Sequence, residues 1–419
     1  MNVLIKSAVV VDHTNKKLDQ KKRDILIKNG LIEKIAARIE KIKGIKIIER
    51  PNLHVSRGWF DTSVSFGEPG YEERETITNG LKVAAQSGFT DIILNPNTYP
   101  IPDSSGDIAF LSKRNQEGPS RLYPLGALTV KSEGKELAEL YDMKNTGAVG
   151  FYDYQKPLEN ANLLKLALQY SQVFKGLILS FPMDRQIAGV GVVNEGEIST
   201  ALGLKGIPAL AEELQIARDL FILEYTEGSL HIPTISTARS VQLIAEAKKK
   251  GLDVSCSVAV HHLWLTDKVL EGFDSNTKVQ PPLRNQSDLK SLRRALKDGI
   301  IDFVTSDHTP LNIELKRIEF DNANYGSIGL ETAFGILNQI YDTPTTIDIL
   351  SRGRKRFDIP ETAIAEGKEA NLTLFDPEVH SAFGKSDIRS TSKNSIFLGE
   401  SLKGKIYGVY AHGHLELAK

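Results

Sequence analysis

Trp59-Phe60-Asp61-Thr62-Ser63-Val64-Ser65-Phe66-Gly67-Glu68-Pro69-Gly70 decides how the 419-residue chain is read. It opens as a strand and ends in a loop at Gly67 and Pro69-Gly70. No glycine-rich phosphate loop follows, which disfavours a doubly wound nucleotide-binding sheet. Counting outward from 59–65, strand-like runs recur at 91–95, 122–125, 148–152, 177–180, 231–235, 253–258 and 303–306. Helical patterns lie between many of them. The clearest is 208–225, with Pro208 near its start and Leu210, Leu214, Ala217 and Phe221 on one face. Eight strands with intervening helices predict an α/β fold, a (β/α)8 barrel.

Both ends of the chain read differently. Residues 3–11, 24–28 and 45–48 are strand-like, and Asn29-Gly30 is a tight hairpin signal. Residues 371–375 form another strand, and 405–417 read as a hairpin turning near Gly413. The two ends are therefore expected to build one small β domain, 1–53 with 355–419, a sandwich beside a barrel spanning 54–354.

Composition narrows the partners. Lys+Arg (52) and Asp+Glu (53) nearly cancel, leaving a net charge of -1 and no long same-sign block, so nucleic acid is not expected. No run approaches the roughly 20 apolar residues that span a bilayer. The N-terminus enters a strand pattern without an apolar signal core, so a cytoplasmic protein is expected. Cys256 is the only cysteine and lies in an apolar run, as a buried inert thiol would.

In such a barrel the chemistry sits at the carboxyl ends of the strands. Ser63, Ser65, Asn95 to Asn97, Asp153, Phe181, Thr234, His261, His262 and Asp307 fall there. A neutral hydroxyl is a poor zinc ligand and imidazole a good one, so Ser63 and Ser65 do not suggest a metal. Asp307 suits a metal ligand or general acid/base, or equally a cap or loop acid; for Asp153 the structural role is slightly favoured. His261 and His262 are adjacent on a strand pattern and would face opposite ways, so structural roles are expected for both. His231 begins its strand and belongs at the stability face. His412-Gly413-His414 has ligand spacing but falls in the hairpin turn.

Several segments together resemble dihydroorotase, the cyclic amidohydrolase that interconverts carbamoyl-aspartate and dihydroorotate. They are Glu68-Pro69-Gly70, Pro96-Asn97-Thr98, Asn194-Glu195-Gly196, Gly203 to Pro208, Ala211-Glu212-Glu213, Ser236-Thr237-Ala238, Lys278 to Arg284, Asp307-His308-Thr309-Pro310 and Gly329 to Thr332. Ser392-Lys393-Asn394 and Phe397-Leu398-Gly399 extend the likeness into the C-terminal region. The family's fold is a barrel with a small β domain from both termini.

Carried over position by position, the resemblance implies a dismantled site. The family's four metal-binding histidines fall on Ser63, Ser65, Phe181 and Thr234, while Asp153 and Asp307 remain at its metal-binding aspartates. Asp307 is also the general acid/base position. The arginine that pairs with the substrate carboxylate falls on Gly67, a substrate-contacting asparagine becomes Gln280, a further histidine becomes Leu311, and Asn97 is kept. Two carboxylates do not replace four imidazoles for zinc.

The resemblance thus implies a non-catalytic homologue without cofactor. It would be a structural or regulatory partner of aspartate carbamoyltransferase in pyrimidine biosynthesis, itself expected to be a homo-oligomer. The alternatives are an active cyclic amidohydrolase with a rearranged zinc site, or a metal-free module that binds a small ligand against Phe181, Tyr152 and Tyr154.

Overall fold

The structure is a computed structural model that describes residues 1–116 and 118–418. Eight parallel strands form the barrel: Trp59–Val64, Phe89–Leu94, Arg121–Pro124, Phe151–Tyr152, Ile178–Leu179, Leu230–Ile232, Val254–Ala259 and Phe303–Thr305. Neighbours pair in this order, with a Gly126–Phe151 bridge joining the third to the fourth. A Val64–His308 bridge returns the eighth to the first. Closure leaves no exposed edge, and strands buried on both faces read as near-continuous apolar runs. These strands match the sequence expectation one for one.

Alternation along each strand divides the core in two. Trp59, Ile92, Phe151 and Ile178 face the helices, in the large outer cluster. Phe60, Ile93, Tyr152, Leu179, Phe181 and Phe303 gather in a second cluster, closed by Phe357 and Ile359. This is the barrel interior, packed with side chains rather than open.

The chain termini share one eight-stranded sheet. His54–Arg57 joins its halves, running parallel to Val3–Val11 and antiparallel to Leu372–Ala382. Both expected hairpin turns form, at Asn29-Gly30 (φ 51° and 82°) and His412-Gly413 (φ 51° and 79°). Two adjacent residues with positive φ give the turn that matches strand twist. The sequence-based boundaries shift slightly. His54–Arg57 belongs to the sheet rather than the barrel, while Phe357 and Ile359 belong to the barrel core rather than the small domain.

A buried ion pair locks this junction. Arg354 Nη2 lies 2.7 Å from Asp91 Oδ2 and also donates to the Gly58 carbonyl at 2.9 Å. His412 Nε2 approaches Asp91 at 3.7 Å. Burial is the largest single influence and would raise the Asp91 carboxyl, but the charges and hydrogen bonds of Arg354 and His412 together outweigh it and hold the group well below the usual carboxylate range. Among the described residues no helix is long and apolar enough to cross a membrane.

One helix departs from the usual pattern. Ala209–Thr226 buries Ala211, Ile216, Leu220 and Leu223. The face that the sequence marks as apolar looks out: Leu210, Leu214, Phe221 and Tyr225 are all exposed. An amphipathic helix ordinarily turns such a stripe to the core.

Candidate functional site

The mouth of the barrel brings Ser63, Ser65, Asn97 and Asp307 into one hydrogen-bonded set. Ser63 Oγ donates to Asp307 Oδ1 at 3.1 Å. Asn95 Nδ2 donates to both serine hydroxyls, at 3.0 and 3.1 Å, and Asn97 Nδ2 donates to Ser65 Oγ at 3.0 Å. Tyr154 and Thr309 share a hydroxyl contact of 3.1 Å nearby. Where imidazoles would point at a metal, short hydroxyls and amides bond to one another.

Asp307 is buried, with φ +48°, a left-handed conformation that aspartate tolerates better than most residues. Burial pushes its carboxyl up to about 7; the Ser63 hydrogen bond opposes the shift and the Asp61 charge adds to it. Asp61 was not singled out from sequence. It sits under the mouth, accepting from Thr305 Oγ1, the Ser63 N–H (3.1 Å) and the Ser306 N–H (2.9 Å). Its buried neighbour, not its own motif, gives it weight.

Asp153 does not join this set. Its Oδ1 accepts the Leu128 and Thr129 N–H groups, both at 3.0 Å, and its Oδ2 accepts the Thr129 hydroxyl. Both carboxylate oxygens clamp the loop after the third strand, the structural role the sequence favoured. Phe181 is 1% exposed within the interior cluster, and Tyr152 lies beside it. These rings fill the barrel rather than line an aromatic pocket, while Tyr154 is only partly buried. Thr234 is buried at φ +47°, rare for a β-branched residue, and its N–H donates to Ser257 Oγ at 3.1 Å.

The positions that the resemblance assigns to substrate are engaged within the chain. Gln280 Nε2 rests 3.4 Å from Met183 Sδ, and its carbonyl accepts from Gln155. Leu311 is buried, its N–H bonded to Asn394 Oδ1 at 3.0 Å. At Gly67 a Cβ would meet the Tyr71 carbonyl oxygen at 1.7 Å. The loop closes there because Tyr71 N–H donates to the Gly67 carbonyl (2.9 Å) and Gly67 N–H to that of Glu75 (2.8 Å). Buried Glu75 then accepts from Ser390 Oγ and the Thr391 N–H. No side chain fits at position 67 while this loop stays in place.

The His261-His262 pair departs from expectation in the element that carries it. His261 and His262 lie on a short helix, Val260–Trp264, not on a strand, and both rings are buried 4.5 Å apart. His262 Nε2 faces the Pro281 carbonyl at 3.1 Å and so carries the proton; burial holds the ring down to about 4. His308 Nδ1 accepts the Gly329 N–H at 3.2 Å at the start of helix Leu330–Ile340, and burial holds it to about 4. His231 is buried between Ser255 and Ser257 toward the barrel floor, as expected.

The donor set does not fit a zinc ion. One of the two retained carboxylates is spent on backbone, and the other faces serine and amide. Among the described residues no group of three His, Cys, Asp or Glu side chains is placed to hold a metal.

Five of the eleven shared segments meet in a network that includes none of the mouth side chains. Arg284 donates to Asn194 Oδ1 and the Ile207 carbonyl, both at 2.9 Å, and to Ser236 Oγ at 3.0 Å. Glu212 accepts the Ser236 and Thr237 N–H groups at 2.8 and 3.1 Å. Segments around 194, 207, 212, 236 and 284 thus form one buried network. Motif residues of this kind fix loops, and their presence does not depend on catalysis.

Residues 54–240 match the family model described as dihydro-orotase-like. The dihydroorotase of Pelotomaculum thermopropionicum is 38% identical over 99% of this chain and 98% of its own. The chain belongs to the dihydroorotase family. The dihydroorotase of Syntrophus aciditrophicus is 37% identical over 99% of both chains. Among solved structures, the L-hydantoinase (dihydropyrimidinase) of Arthrobacter aurescens superposes with a TM-score of 0.85 at 22% identity, covering 99% of this chain and 95% of that one. Dihydropyrimidinase from Brevibacillus agri gives 0.81 at 23% over the same shares. The barrel with a small β domain, read from the strands, is therefore the observed architecture.

Proposed function

We propose that this dihydroorotase-family chain is a non-hydrolytic, cytoplasmic protein of pyrimidine biosynthesis. It requires no cofactor and serves as a structural or regulatory partner of aspartate carbamoyltransferase. The observation that carries the reading is the internally satisfied mouth, in which Ser63, Ser65, Asn95, Asn97 and Asp307 bond to each other. Bound zinc lowers the pKa of water from about 15.7 to about 7. Asp307 alone would have to activate ordinary water, and a positioned base supplies only about 10²–10⁴-fold. The crowded backbone at Gly67 leaves no room for a carboxylate-binding arginine, the usual bidentate anchor.

Two measurements test this. Elemental analysis after incubation with zinc should find near-zero metal, and dihydroorotase turnover should match the uncatalysed rate. Tightly held zinc with turnover would replace the reading by that of an active amidohydrolase. Co-expression with aspartate carbamoyltransferase of the same organism should give co-elution or altered transferase activity, and neither effect would remove the scaffold role.

A second reading has one observation in its favour. Asn97 Oδ1 is buried at the mouth without a hydrogen-bond partner. A ligand N–H could satisfy it, which would make the mouth a metal-free binding site. A thermal-shift screen with pyrimidine intermediates tests this, since a specific ligand raises the melting temperature.

A further inference from the structure

We propose that the outer face of the N-terminal half of the small domain is a docking surface for an anionic lipid bilayer. Residues 1–53 carry 13 Lys or Arg against 6 Asp or Glu, a net of +7, whereas the whole chain stands at -1, which leaves -8 for the rest. The chain as a whole therefore has no charge that would draw it to an anionic surface. This half of one domain does.

The fold gathers that charge on one side of the sheet. In strand Lys22–Lys28, Ile25 and Ile27 point into the small-domain core, so Lys22, Asp24, Leu26 and Lys28 face the other way. Lys34 stands opposite Leu26 and shares its face. The chain from 37 to 45 then folds back over this face, where Ile39 and Ile45 pack with Leu4 and Leu26. Two bonds pin it. The Ile39 N–H donates to Asp24 Oδ2 at 2.7 Å, and Lys6 Nζ donates to the Ile39 carbonyl at 2.7 Å. With its apolar side spent inward, the segment leaves Arg38, Lys41 and Lys43 exposed, beside exposed Lys22 and Lys34. Asp24 and Glu33 are already taken by Lys6 and Lys28, and among the described residues none of these five cations has an ion-pair partner. Glu40 is the one acid on the segment.

The same face carries exposed aliphatic side chains, and these identify the occupant. Leu31 (47% exposed) stands opposite Lys28, Ile47 (36%) opposite Leu4, and Ile42 (36%) lies between Lys41 and Lys43. Lysines interleaved with aliphatic tips suit a bilayer, whose phosphates meet the ammonium groups while the tips enter the headgroup region. Nucleic acid and acidic protein fit less well. Residues 1–53 hold no Phe, Tyr or Trp, so no ring is offered to stack a nucleobase. Protein interfaces deplete lysine and favour aromatic side chains, the reverse of this composition. Contact at a bilayer surface needs no spanning helix.

The test is sedimentation of the full-length protein with vesicles of equal parts phosphatidylcholine and phosphatidylglycerol. The protein should co-sediment with these and not with phosphatidylcholine alone. Raising salt from about 0.1 M to about 1 M shortens the screening length from about 10 Å to about 3 Å and should release it. Each cation near an anionic membrane strengthens binding about fivefold, so Lys41→Glu combined with Lys43→Glu should weaken it by at least about 25-fold. Both positions are exposed, so circular dichroism should stay unchanged. Ile42→Trp should shift its emission to the blue on the anionic vesicles, as an indole entering the interface does. No sedimentation with anionic vesicles, or equal sedimentation of wild type and the double variant, overturns the proposal. Emission that stays unshifted on bound vesicles places the contact elsewhere and overturns it too, as does salt-sensitive capture of RNA or of an acidic protein without vesicle binding. If the double variant fails to fold, Lys22→Glu combined with Lys34→Glu takes its place under the same criteria.

Discussion

Replacing Phe181 by histidine would place an imidazole where the resemblance sets one of the family's metal ligands, and here it should only do damage. Phe181 is 1% exposed and packs with Tyr152 and Leu179 inside the barrel. Losing a fully buried aromatic side chain forfeits about 1.5–3 kcal/mol of transfer free energy. The imidazole adds a polar group with no partner in that cluster, at about 1–3 kcal/mol. Phe181→His should therefore lower the unfolding free energy by roughly 3–5 kcal/mol, within the range of large-to-small core substitutions. The assay is urea unfolding, with and without zinc. Zinc binding to the native state alone would stabilise by RT ln(1 + [L]/Kd), about 2.7 kcal/mol at a hundredfold excess over Kd. The expected gain is none, because Asp153 is committed to Leu128 and Thr129. A variant as stable as wild type, or one recovered by zinc, would refute the view that Phe181 fills a closed interior.

Removing the guanidinium at the junction, Arg354→Met, should cost about 3–5 kcal/mol by leaving Asp91 buried and unpaired, and adding Asp91→Asn should recover much of that loss in denaturant titrations. Gly67→Arg should not create a substrate anchor. The 1.7 Å approach of a Cβ to the Tyr71 carbonyl must displace the loop, and a loss of about 1–3 kcal/mol should appear as a lower melting temperature; an unchanged melt would show that the loop yields freely. Asp307 has a folded-state value near 7 against 3.8 for the free group, so the native state binds its proton more tightly. Its contribution is fully present below about 3.8, falls by about 1.4 kcal/mol per pH unit as pH rises, and is exhausted above about 7. Asp307→Asn should therefore gain stability relative to wild type as pH rises from about 4 to about 7, and a constant difference across that window would contradict the assignment.

The sequence by itself determined the strand order, both hairpins and the two-ended small sheet. These are local properties. Apolar runs set the strands, and Asn29-Gly30 and His412-Gly413 set turns that need positive φ. The resemblance mapped Gly67 onto an arginine's place, but only packing revealed that the Tyr71 carbonyl now occupies the space a side chain would need.

Tertiary structure also separated Asp153 from Asp307, which looked alike as strand-end acids, by giving one of them two backbone N–H partners from a loop some 25 residues away. It brought Asp61 beside Asp307 through a pairing more than 240 residues apart. It turned the apolar stripe of Ala209–Thr226 outward. Periodicity fixes which residues share a helix face, whereas the direction that face takes depends on which side of the helix finds a neighbour.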